Sequence, residues 1–132
     1  MSDTGLVTIA SEYPVKEAID RLESALRAKG VAIFARIDHA AGAASVDMLL
    51  RPTELLIFGN PKAGTPLMQA NQTTGLDLPL KILAWQDAAG KVWLTYNDPR
   101  WLARRHKLGD AAKPTVEALA VGLANFAKAA AE

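Results

Sequence analysis

The sequence predicts an α+β domain, with a mixed or mostly antiparallel sheet and its helices packed on one face. Three observations carry that expectation. The predicted elements run strand, helix, strand, short helix, strand, helix, hairpin and then two helices, too little alternation for a doubly wound parallel sheet. The connection Asp87-Ala88-Ala89-Gly90 suits a type I turn followed by a left-handed glycine, so the strands around it pair directly and antiparallel. At 132 residues the chain makes one domain, residues 1–132. A domain of that size buries roughly 68% of its unfolded surface.

Leu6, Val7 and Ile9 predict a first strand over residues 5–11. Pro14 fits the first turn of a helix, where its missing N–H costs nothing. Val15, Ala18, Ile19, Leu22 and Leu26 recur at helical spacing, with charged residues on the other face, and Gly30 stops the helix. A second strand covers Val31 to Ile37. Asp38 is placed to cap a short alanine-rich helix over 39–47, which Arg51-Pro52-Thr53 ends.

Glu54 to Phe58 is apolar on both faces and reads as an interior strand. Thr65 and Pro66 predict the cap and first residue of a helix through Gln72, ended by Thr73-Thr74-Gly75. Leu80 to Gln86 and Val92 to Tyr96 form the hairpin. Asn97-Asp98-Pro99 turns the chain into a short helix with Trp101 and Leu102. The last helix, over 112–131, begins near Pro114 and shows Val116, Leu119, Ala120, Leu123, Phe126 and Ala127 on one face.

Composition removes several function classes. With 15 basic and 14 acidic residues, no one-signed field is available to hold nucleic acid or an anionic membrane. The absence of cysteine excludes disulfides, thiol catalysis and thiolate metal sites, and two histidines are few for any other metal centre. The first ten residues lack the pattern of a signal peptide, and no apolar run approaches the ~20 residues of a membrane span. The expectation is a cytoplasmic protein with no cofactor, no metal, no nucleic-acid partner and no membrane partner.

Phe58-Gly59-Asn60-Pro61-Lys62-Ala63-Gly64-Thr65-Pro66 comes close to a phosphate-binding loop. Its two glycines have the G-x-x-x-x-G spacing, but Thr65 and Pro66 stand where that motif needs Lys and then Ser or Thr. Asp38-His39-Ala40-Ala41, Leu50-Arg51-Pro52-Thr53, the same Phe58-to-Lys62 run, Gly64-Thr65, Leu78-Pro79-Leu80-Lys81 and Tyr96-Asn97-Asp98-Pro99 together resemble the DUF302 family. The resemblance spans residues 6–108. It implies a small domain of the TATA-binding-protein-like type, a curved antiparallel sheet backed by helices, that forms homodimers. It implies no established activity.

Two candidate sites follow from the residues themselves. A turn leading into a helix exposes backbone N–H groups, so Asn60, Lys62 and Thr65, joined by Lys81 from its apolar strand, are candidates for binding a small anion, a carboxylate or phosphate. The alternative is a small hydrolase-like or acid–base enzyme using His39 with Asp38. A third reading is a structural or protein-interaction domain. Arg104-Arg105-His106-Lys107 reads as a basic helix end, and Trp85, Trp93 and Trp101 as core or dimer-interface residues.

Overall fold

The computed structural model describes residues 4–132. Five strands, β1 (Leu6–Ser11), β2 (Ala32–Asp38), β3 (Thr53–Gly59), β4 (Leu80–Gln86) and β5 (Val92–Asn97), form one sheet in the order β1-β5-β4-β3-β2. Every ladder is antiparallel, so the sheet is not mixed. Five helices accompany it: α1 (Val15–Ala28), α2 (His39–Ala44), α3 (Pro61–Ala70), α4 (Pro99–Arg105) and α5 (Lys113–Ala131). Short 3-10 turns at Gln72–Leu76 and Asp110–Ala112 complete the chain.

Helices α1 and α5 bury one face of the sheet. The α1 stripe read from the sequence, Val15, Ala18, Ile19, Leu22 and Leu26, is the stripe that is buried. It meets Leu56 and Phe58 of β3, Ile82 and Ala84 of β4, Leu94 and Tyr96 of β5, and Leu123 and Ala127 of α5. Each leucine or isoleucine taken from water there contributes about 1.5–3 kcal/mol. A second small cluster, Leu67, Leu108, Ala112 and Val116, packs α3 against the start of α5.

Among the described residues, neither α1 nor α5 lies over the other sheet face. It carries Leu55 and Ile57 of β3, Lys81, Leu83 and Trp85 of β4, and Trp93 and Thr95 of β5, all half-buried. Trp85 and Trp93 face each other in the ladder with ring centroids 6.4 Å apart, and Trp85 Nε1 donates to Thr95 Oγ1 at 2.8 Å.

Three boundaries differ from the sequence expectation. Helix α3 starts at Pro61 with Asn60 as its cap, not at Thr65-Pro66. Two cap–proline pairs compete here, and the chain uses the first; Pro66 then sits inside the helix, at the expense of one backbone hydrogen bond. Helix α2 stops at Ala44, short of residue 47, and Asp47 takes a left-handed φ of 61°. Gln72, expected at the end of α3, instead opens a 3-10 turn whose cap is Asn71.

Candidate functional site

The β3–α3 junction, the stretch singled out in the sequence, forms one wall of a cavity of about 320 Å³. Phe58 reaches it because Glu54, Leu56 and Phe58 alternate onto the helix-covered face of β3. Leu80 arrives in the same way from β4, behind Leu78 and Pro79. Leu119, Gly122, Leu123 and Phe126 recur at three- and four-residue steps along α5 and close the far side. Met68 of α3 and Gly75 of the 3-10 turn add to the roof.

Phe34 enters by a different device. The β2–β3 register runs Ile33↔Phe58 and then Ala35↔Ile57, leaving Phe34 as the unpaired residue of a bulge. Its ring lines the cavity, yet the side chain is 54% exposed. The ring lies over Gly59, where a Cβ would be in ordinary contact with it, 3.4 Å from Phe34 Cε2.

The lining is apolar except for Asn60 and Thr65, and no charged side chain contributes to it. The start of α3 also has few hydrogen-bond donors to offer. Pro61 has no N–H, the Lys62 N–H donates to Asn60 Oδ1 at 3.0 Å, and the Ala63 and Gly64 N–H groups both donate to the Asn60 carbonyl. The partial positive charge of a helix N-terminus is thus turned inward onto Asn60.

The side chains proposed from sequence as an anion site do not converge. Asn60 and Thr65 border the cavity, whereas Lys62 is exposed and outside its lining. Lys81 pairs with Ile57 and lies on the uncovered face of the sheet, away from the cavity. Asp38 and His39 sit at the opposite end of the β2–β3 ladder, with Asp38 beside Glu54 and Ala32 beside Gly59. Asp38 Oδ1 accepts the Ala41 N–H at 2.9 Å as the cap of α2, and His39 is an exposed first-turn residue. Among the described residues, no three His, Asp or Glu side chains gather to hold a metal.

His106 is the polar residue that sequence reading missed. It belongs to the basic run at the end of α4, yet it is buried. Its Nε2 meets Asp77, its Nδ1 lies 2.9 Å from Thr73 Oγ1, and Asn71 Nδ2 donates to its carbonyl at 2.7 Å. Arg105 adds a 3.2 Å contact to Asp77. The network fastens the 3-10 turn and Asp77, which flank Leu78 and Gly75 at the cavity roof, to α4. No local motif signals it, because Asp77 and His106 lie on separate elements. Phe34 and Gly122 were missed for the same reason: a bulge and a helical glycine announce no shared cavity.

Comparison with known proteins matches residues 7–126 to a family described as "Domain of unknown function DUF302". A protein of Brucella suis biovar 1 (strain 1330) named "Fluoride-specific ion channel FluC 1" is 50% identical over 129 residues, covering 98% of this chain and 51% of that protein. Its namesake in Brucella abortus biovar 1 (strain 9-941) matches equally, with 48% of its length covered. The chain therefore spans about half the length of these curated relatives. A crystal structure of an uncharacterized conserved DUF302 protein from Bacillus stearothermophilus has the same fold, with a TM-score of 0.83 at 20% identity over 96% of this chain and 98% of the other. No helix among the described residues is long and apolar enough to cross a membrane.

Proposed function

We propose that this chain, which belongs to the DUF302 family, is a homodimeric small-ligand-binding domain whose ligand occupies the cavity between the β3–α3 junction and α5. The observation that carries this reading is Gly122. It lies inside a 19-residue helix rich in alanine, where glycine is about 1 kcal/mol worse than alanine, and a Cβ added there meets nothing within 4 Å. Of the four α5 residues that line the cavity, Gly122 is the one that weakens the helix and leaves the space before it empty.

Native mass spectrometry of protein purified from cells tests the reading. Wild type should carry a reproducible adduct, and Gly122→Phe, which fills the cavity, should lose it while keeping its circular dichroism spectrum. An adduct retained by the folded variant, or none on either protein, sinks the proposal.

The homodimer part of the reading is supported by the bare sheet face. An antiparallel sheet that faces water normally turns polar residues outward, whereas here Leu55, Ile57, Leu83, Trp85 and Trp93 are turned outward. Val46, Met48, Leu49 and Leu50 form a further exposed apolar run between α2 and β3.

A second reading is favoured by the Brucella relatives. Those relatives are named as fluoride channels, and this chain matches about half of their length. On this reading the domain serves beside a fluoride channel. Co-purification of this chain with the remaining half of the Brucella suis protein, expressed separately, is the expected result. Absence of association at concentrations of about 50 µM, weak even for a transient contact, counts against it.

A further inference from the structure

We propose that the ligand is an uncharged lipophile of roughly fifteen to twenty non-hydrogen atoms at interior packing density, and that Phe34 is the gate through which it enters. The proposal rests on the cavity being the binding site and adds the chemical class of its occupant.

The class follows from what the walls can and cannot do. No charged side chain lines the cavity, and the nearest cation on α3, Lys62, faces solvent. The N–H groups that a helix start would present to an anion are committed to Asn60. A carboxylate, phosphate or ammonium entering here would shed its hydration and find neither counter-charge nor a set of free donors. An apolar molecule meets Phe58, Phe126, Leu80 and Met68 instead, and Thr65 offers its hydroxyl for a single neutral polar group.

The gate follows from the bulge. Phe34 belongs to an edge strand, has no ladder partner, and is more than half exposed while still touching the cavity. Rotating its ring outward therefore disturbs no buried neighbour.

Two probes with one hydrocarbon skeleton separate the possibilities: N-phenyl-1-naphthylamine, which is neutral, and 8-anilino-1-naphthalenesulfonate, its sulfonated counterpart. Fluorescence titration of the full chain should show the neutral probe binding at least about tenfold tighter, because the sulfonate has no partner inside. Gly122→Phe should abolish that binding. Stopped-flow mixing with Phe34→Ala should show entry and release both faster by about fivefold or more, with the Kd changed less than about threefold. Equal or tighter binding of the sulfonate, blocked by Gly122→Phe, overturns the neutral class and leaves the cavity as a site. Binding of both probes unaffected by Gly122→Phe overturns the site itself. Entry rates unchanged in Phe34→Ala overturn the gate, and the exposure of Phe34 keeps that variant folded enough to read.

Discussion

At Gly122 the preference of the helix and the needs of the cavity point in opposite directions, and a single methyl group separates them. Gly122→Ala should raise unfolding stability by about 0.5–1 kcal/mol in urea titration, since the helix gains and nothing is struck. A loss would show that the void is closed in solution. Gly5 is the contrasting case. It sits at φ +75°, and a Cβ there would lie 2.3 Å from the Trp101 ring. Gly5→Ala should therefore cost on the order of 1–3 kcal/mol by the same titration. The sequence marks neither difference: both are glycines among ordinary neighbours. Leu119 and Phe126 show the same limit. Helical spacing places them on the inward face of α5, but spacing cannot tell a packed core position from the wall of a hole.

At the level of elements, what was legible followed from periodicity. Helix α1 announced its buried stripe because five apolar residues fit one face and no competing signal intervened. Helix α3 did not, because Asn60-Pro61 and Thr65-Pro66 are both valid starts and only tertiary packing chooses between them. A polar tie between α1 and the sheet supplements that apolar contact and was not legible. Arg36 of β2 donates to Glu54 of β3 at 2.6 Å and to Asp20 of α1 at 2.7 Å. The Arg36 hydrogen bond holds the Asp20 carboxyl below the ordinary carboxylate range. Asp87 is likewise lowered, by hydrogen bonds from the Trp93 indole and the Lys91 N–H.

A folded-state pKa that is depressed contributes stability above the unfolded value, and that stability is lost as pH falls. Thermal unfolding followed between pH 6 and pH 3 should therefore show a falling Tm, with the loss setting in below about pH 4, near the unfolded carboxylate pKa. Arg36→Met should lower the Tm at pH 6 and flatten the acid limb. An acid limb as steep in the variant as in wild type would mean that Asp20 owes nothing to Arg36.

For the whole molecule, the layer order was legible while the cavity was not. Strand alternation and the Asp87–Gly90 turn suffice to build an antiparallel sheet with helices on one side. The cavity needs Phe34, Asn60, Leu78 and Gly122 brought together from four separate segments of the chain, which no local pattern encodes. The bare face leads to a prediction at this scale. Sedimentation equilibrium should show a dimer, and Leu83→Glu, which places a charge at the middle of that face, should give a folded monomer. A wild-type protein that stays monomeric to about 100 µM, far above what a standard-sized interface requires, would remove the homodimer from the proposed function.

The strand order also sets a timetable for synthesis. Strands β3, β4 and β5 each lie beside the strand before them in sequence, so each of these finds its template already made. Strand β1 is the exception, because its partner runs from Val92 to Asn97, and the Glu12 N–H just beyond it is held by the carbonyl of Ala131. Strand β1 thus waits until β5 is made before it is paired. Its closure spans the longest loop in the sheet, the slowest kind of contact to form. A growing chain therefore holds β1 unpaired until β5 has emerged.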